Sequence, residues 1–247
     1  MGAEVEIVRL GVAGKTIRFR WGEPHELGSA AYWIEQTRLR PPSSDHRLGH
    51  SLAEETVACV LGGYGLPAEI GLAAFEQLRR EGLLCVKRPP TASQVQSVLE
   101  RPLCLSGRDE PVHYRFPRQR ATRVSDALHF LAQYPAPEKS QDLRDWLLAV
   151  PGVGPKTASW IARNWAGVED VAIIDVHIRR AGLAAGFFLP DWKLPHHYSA
   201  FENAFTEVAR LGEVSCAALD ARIWQDLSFL GRASGLLLGT QPDAPLL

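Results

Sequence analysis

LLAVPGVGPKTASWIARNWAGVEDVAIIDVHIRR, residues 147–180, is the stretch whose reading decides the fold. A helical pattern runs into Val150-Pro151-Gly152-Val153-Gly154-Pro155-Lys156, and a second helical pattern leaves it. Pro155 suits the first position of that second helix, where its missing N–H would be unpaired anyway. Gly152 and Gly154 permit positive φ and bring the backbone close to a ligand. The N–H groups of such a turn, with the new helix N-terminus, form an anion site that suits a nucleic-acid phosphate. The carbonyls of Leu148, Val150 and Val153 could hold a monovalent cation, K+ or Na+, bridging to the same phosphate. A glycine-pinched turn that only lets two helices cross tightly is the alternative.

Two side chains beside the turn carry chemistry. Lys156 falls in the first turn of the second helix, where a cation opposes the helix dipole at a cost of about 0.3–1 kcal/mol. Such a position favours the neutral amine, the nucleophilic form. A plain phosphate contact is the other role open to it. Asp175 lies between the apolar strip Val171–Ile174 and a third helical pattern, where it reads as an N-cap. A carboxylate held ionised there can also stabilise a cationic sugar transition state.

Working outward, residues 4–10 and 15–21 alternate apolar and polar across a Gly-Val-Ala-Gly turn, a β-hairpin pattern. Residues 26–38 read as a short helix, and RPPSSDHRLG at 40–49 as a loop and boundary. Ser51 caps a helix reaching Cys59 and Val60, with Glu54 three residues on completing a capping box. LGGYGLP at 61–67 breaks it; helix resumes over 68–82 and, after the cap in PPTAS, to about Glu100. A polar loop at 105–113 precedes helices near 117–134, 140–149, 155–166, 176–187, 196–211 and 216–231. The tail after Gly235 reads as loose. The expected division is a small α/β subdomain over 1–48, a helical domain over 49–235 with its hairpin at 148–156, and a tail over 236–247.

Bulk composition narrows the class. With 247 residues, 46% hydrophobic and 22% charged, the chain has ample material for a core. A net charge of −1 argues against coating nucleic acid by charge alone, but not against a local grip on a few phosphates. Arg115, Arg118, Arg120 and Arg123 crowd one segment and read as a phosphate-facing patch or a solvated face. No apolar run reaches the ~18 residues of a membrane helix, and the N-terminus lacks a signal-peptide pattern. A cytoplasmic monomer is the default expectation. Cys59, Cys85, Cys104 and Cys216 are too scattered for a zinc or iron–sulfur site.

PGVGPK followed 19 residues later by the Asp of IIDVH resembles the helix-hairpin-helix DNA glycosylases, and among them the bifunctional glycosylase/lyases. The resemblance covers roughly residues 50–232. It implies a mainly α fold of two helical lobes with a small N-terminal β-containing subdomain. It implies that Lys156 attacks the sugar C1′ and that Asp175 assists departure of the base. The endonuclease III and adenine-glycosylase branches usually carry a four-cysteine iron–sulfur loop, which this chain does not supply, and the adenine glycosylases lack the lysine. The 8-oxoguanine glycosylase branch keeps both residues without a cluster and favours the wording found at Asp175-Val176-His177.

Trp224-Gln225-Asp226-Leu227-Ser228-Phe229 resembles that branch's last helix, which implies that Gln225 reads the flipped base and Phe229 stacks on it. An i, i+4 pair shares one helix face. Where the branch often has a small thiol four residues after the lysine, this chain has Trp160, a second stacking surface or a core residue. Tyr64, in the glycine-rich break, is a candidate wedge for the gap left by a flipped nucleotide. With Gly152, Gly154, Thr157 and His177 it makes up the DNA-contacting set that the resemblance implies.

The expected activity is therefore excision of an oxidised purine, 8-oxoguanine first, from damaged double-stranded DNA, with neither metal nor redox cofactor doing chemistry. A glycosylase for another modified base and a non-catalytic helix-hairpin-helix DNA-binding module are the alternatives.

Overall fold

The computed structural model describes residues 6–42, 46–63, 66–231 and 233–239. Two strands and eleven helices form among them: β1 Ile7–Val12, β2 Lys15–Arg20, α1 Ala30–Leu39, α2 Leu52–Leu61, α3 Ala68–Arg80, α4 Ala92–Leu99, α5 Pro117–Gln133, α6 Ser140–Leu147, α7 Pro155–Ala166, α8 Val176–Ala185, α9 Tyr198–Leu211, α10 Cys216–Leu230 and α11 Ala233–Leu237. This mainly helical order with a small N-terminal sheet agrees with the fold that the resemblance implies. No helix among the described residues is long and apolar enough to cross a membrane.

The chain divides into two compact units. Among the described residues, one comprises residues 46–167; the other joins residues 6–42 to those from 168 to 239. This differs from the partition at 48 and 235 expected from the sequence. The N-terminal segment does not stand alone, because a two-stranded hairpin has too little apolar surface to be stable by itself. Leu10, Val12, Ile17 and Phe19 alternate onto its buried face and enter one core with Phe187, Phe201 and Phe205. The hairpin pairs Val12 with Lys15 across Ala13-Gly14. Both linking residues have positive φ, 50° and 74°, as a tight primed turn requires.

The same unit holds α1 and α8–α11. Phe187 and Phe188 stack edge-to-face at 4.8 Å, and Phe188 meets Phe201 at 4.8 Å. Such pairs add about 0.5–1.5 kcal/mol each beyond their buried area. The first helix starts at Ala30, four residues after the sequence pattern suggested. Ser29 caps it by accepting from Tyr32 N, and residues before it form turns instead. Gly235 lies inside α11, and Leu238 packs on the core, so order extends past the expected start of the tail. Residues 240–247 lie outside the described residues.

In the unit of residues 45–167, α2 is the central helix. Ala53 and every residue from Glu55 to Leu61 are buried, so the helix is enclosed on all faces and is surrounded by α3, α5 and α7. Ser51 caps it by accepting from Glu54 N at 3.2 Å. The return bond of the expected capping box is displaced by one residue. The Glu54 carboxylate accepts from His50 N at 2.9 Å. Thr91 and Gln94 form a complete capping box on α4.

Candidate active site

The hairpin joins α6 to α7, and its chemistry follows from glycine and proline. Val153 N donates to Val150 O at 3.0 Å, closing the turn. Gly152 has φ 80°. A β-carbon there would lie 2.8 Å from Arg123 Cγ and 3.0 Å from its Cβ. Gly154 is the N-cap of α7 and supplies no side-chain acceptor, while Pro155 at the first position has no N–H. The first-turn N–H groups of Lys156 and Thr157 therefore have no cap from their own helix, the arrangement that receives an anion. Replacing Gly152 by alanine forces a left-handed backbone and displaces the Arg123 stem. The expected cost is about 1–3 kcal/mol, read from urea unfolding midpoints. A loss below about 0.5 kcal/mol would contradict this close packing.

Lys156 is half-buried. Its Nζ lies 3.9 Å from the point a β-carbon of Gly63 would occupy. One turn on, Trp160 is half-buried against Gly62; a β-carbon there would fall 2.9 Å from Trp160 Cη2 and 3.2 Å from Cζ3. Only a bare backbone fits under that ring. The break after α2 is thus a surface on which the lysine and the indole of α7 both rest. Tyr64 lies outside the described residues.

Beneath this surface is a polar cluster that the sequence reading missed. Glu55 is fully buried in α2. One carboxylate oxygen accepts from Leu48 N at 2.8 Å and Gly49 N at 3.0 Å. The other accepts from Asn164 Nδ2 of α7 at 2.8 Å and from the Cys59 thiol at 3.7 Å. A buried carboxylate is tolerated only when so satisfied. Burial, and then the neighbouring Glu55 charge, push the Cys59 thiol well above its ordinary range, so it stays protonated and donates. Glu55 therefore ties α7 to α2. Its signal in the sequence was a second glutamate beside Glu54, just before the apolar run Val57–Leu61.

The arginine patch is partly corrected. Arg120 is buried, because its guanidinium donates to the carbonyls of Val60 and Gly62. Arg115, Arg118 and Arg123 instead line a shallow concavity of about 670 Å³ at the start of α5, with Phe116, Gln119 and Thr122. Through Arg123 it adjoins the hairpin at Gly152.

Asp175 belongs to the other unit. It caps α8, one oxygen accepting from His177 N at 2.8 Å and from Ile178 N at 3.0 Å. The extended strip before it is pinned by two side chains that sequence reasoning also missed. Buried Asp220 accepts from Ile173 N at 2.8 Å. Tyr198 Oη accepts from Ile174 N at 3.3 Å and donates to Ala172 O at 2.9 Å. Asp175 thus has a held approach as well as a held helix. His177 follows in the first turn of α8 and is half-buried.

Gln225 and Phe229 lie four residues apart on α10, which packs on α8. Gln225 is half-buried. Phe229 is 91% exposed, which rules out a core role and leaves an aromatic face in solvent. Between them Asp226 is engaged by Arg222 and Arg40.

The 8-oxoguanine glycosylase/lyase of Methanocaldococcus jannaschii, solved with a 15mer DNA containing 8-oxoguanine, is similar at 22% identity and TM-score 0.54, over 81% of this chain and 89% of that one. The 8-oxoguanine DNA glycosylase of Thermotoga maritima matches at 25% identity and TM-score 0.51, over 71% and 79%. A trapped endonuclease III–DNA covalent intermediate matches at 17% identity and TM-score 0.58, over 82% and 84%, which speaks for the shared fold. Residues 45–214 match the family model of 8-oxoguanine DNA glycosylase, spanning the hairpin, Lys156 and Asp175, and the chain belongs to that family.

Proposed function

We propose that this chain is a bifunctional DNA glycosylase/AP lyase that removes an oxidised purine, 8-oxoguanine first, from duplex DNA. The observation that carries the reading is Lys156, half-buried in the first turn of α7 directly after the hairpin, in a chain of this family. Two of the similar proteins were solved with DNA.

The hairpin N–H groups, with Gly152, Gly154, Thr157 and His177, grip the strand. Arg115 and Arg118 add phosphate contacts beside them. The carbonyls of Leu148, Val150 and Val153 border the turn and offer the hard oxygen donors that K+ or Na+ takes. Val150 O already accepts the Val153 N–H, so it keeps one lone pair for such an ion. The ion would supply charge to the bound phosphate and nothing to the bond-breaking step.

The damaged nucleotide is flipped out at a cost of a few kcal/mol. Trp160 and Phe229 stack on the base, and Gln225 hydrogen-bonds its edge. The Lys156 amine bonds to C1′ as the glycosidic bond breaks, and the base leaves with that electron pair and takes up a proton. The Asp175 carboxylate stabilises the cationic character that develops on the sugar. Loss of the amine proton and ring opening give the Schiff base. Abstraction of a C2′ proton then expels the 3′ phosphate, nicking the strand. The protein acts on its own as a monomer.

A different modified base is the second reading, favoured by the wide Trp160 indole where relatives often have a small thiol. Single-turnover release from duplexes carrying 8-oxoguanine, other oxidised purines or oxidised pyrimidines separates the two. Fastest release of 8-oxoguanine is the expected result. Equal or faster release of a pyrimidine lesion would replace the substrate assignment, and no release from any duplex would leave only DNA binding.

A further inference from the structure

We propose that Arg120 and Tyr114 are positioning residues of the lesion pocket, holding the last carbonyls of α2 so that Gly62 and Gly63 form a fixed shelf under Trp160 and Lys156. The proposal rests on the catalytic reading of Lys156 and Trp160 given above.

Three successive carbonyls close α2, and each is met by a buried side chain 53 to 60 residues further along the chain. Arg120 donates to Val60 O, and to Gly62 O at 3.4 Å. Tyr114 Oη donates to Leu61 O at 2.6 Å. Both donors are almost wholly buried, at 3% and 4% exposed. Burial pushes the Tyr114 phenol up to about 12, against the opposing pull of Arg120 and Arg123, so it remains a donor at any working pH.

Helix C-termini ordinarily satisfy such carbonyls with water or a glycine cap. Burying a guanidinium for the task is expensive. What it secures is a particular place for the backbone that follows. A β-carbon at Gly62 would be 2.9 Å from the Trp160 ring, so the ring's seat is the Gly62 backbone itself. Among the described residues, and apart from its own chain neighbours, Lys156 Nζ is the one atom within 4 Å of a β-carbon placed on Gly63, whose φ is 78°. A shift of the α2 terminus therefore moves the platform of the stacking ring and the surroundings of the nucleophile together. Lysine cannot replace Arg120, because a single ammonium lacks the fork that spans two carbonyls.

The test compares Arg120→Lys and Tyr114→Phe in the full-length protein, well below each variant's unfolding midpoint. Single-turnover base release at saturating duplex should slow roughly 10- to 100-fold, since misplacement of about 1 Å costs that much. The loss should shrink to about twofold or less in a Trp160→Phe background, where the ring that needs the shelf is smaller. Full rates with only a lowered midpoint, or equal losses in both backgrounds, would overturn the proposal. A second arm needs no activity: the Trp160 emission, taken as the difference between matched proteins with and without Trp160→Phe. It should shift to the red when Tyr114 or Arg120 is substituted, as more of the ring meets water. An unchanged difference spectrum overturns the shelf. Absence of base release by the parent protein would instead overturn the catalytic reading, and the emission arm would still decide the shelf.

Discussion

Lys156→Gln should abolish the covalent adduct that borohydride is expected to trap between this protein and a duplex containing 8-oxoguanine. Glutamine keeps most of the length and packing of the side chain but has no nucleophilic amine. Removal of a covalent nucleophile costs about 10⁴-fold or more in rate. The strand nick should vanish with the adduct, because both pass through the Schiff base. Stability should hold or rise slightly. A cation in the first turn of α7 opposes the helix dipole at about 0.3–1 kcal/mol, and glutamine removes that opposition. Binding to undamaged duplex should fall only by the loss of one charge. Wild-type protein without an adduct, or a Lys156→Gln protein with an undiminished one, would sink the lyase mechanism.

Asp175→Asn should separate catalysis from stability, because Asp175 caps α8 and is also the carboxylate proposed to act in base release. Its carboxylate accepts from His177 N and Ile178 N and caps α8. Asparagine is an equally good N-cap, so folding stability should change by a few tenths of a kcal/mol at most. Asparagine carries no negative charge for the developing sugar cation. Base release should fall about 10²- to 10³-fold, the range seen when one preorganised electrostatic contact is removed. Asp175→Ala should show the same kinetic loss and, in addition, lose about 1 kcal/mol with the cap. Unfolding curves and single-turnover rates on the same three proteins check both halves. A Asp175→Asn protein that releases base at the wild-type rate would reduce Asp175 to a cap.

The elements around these two residues were legible because their signals are local. Pro155 opens α7, Gly167 with φ 65° ends it, and Asp175 begins α8, each as its own chemistry demands. The Arg115–Arg123 run shows where such reading stops. All four arginines look alike in the sequence, yet one is buried in the unit and three line a concavity. Which of them turns inward depends on the carbonyls of Val60 and Gly62, 60 and 58 residues away. Phe229 is the converse case: an aromatic in an apolar-looking helix that packing leaves in solvent.

By itself, then, the sequence determined the helix-hairpin-helix order, the caps at Ser51 and Asp175, and the place of Lys156 and Asp175 at two helix starts. Each depends on hydrogen bonds and backbone preferences reaching about four residues along the chain. Only the tertiary structure decided that Trp160 rests on Gly62, that Glu55 ties α2 to Asn164 109 residues away, and that the N-terminal hairpin shares a core with the C-terminal helices. Those pairings are chosen by how buried surfaces fill space and satisfy one another's polar groups, and such choices exist only once distant segments meet.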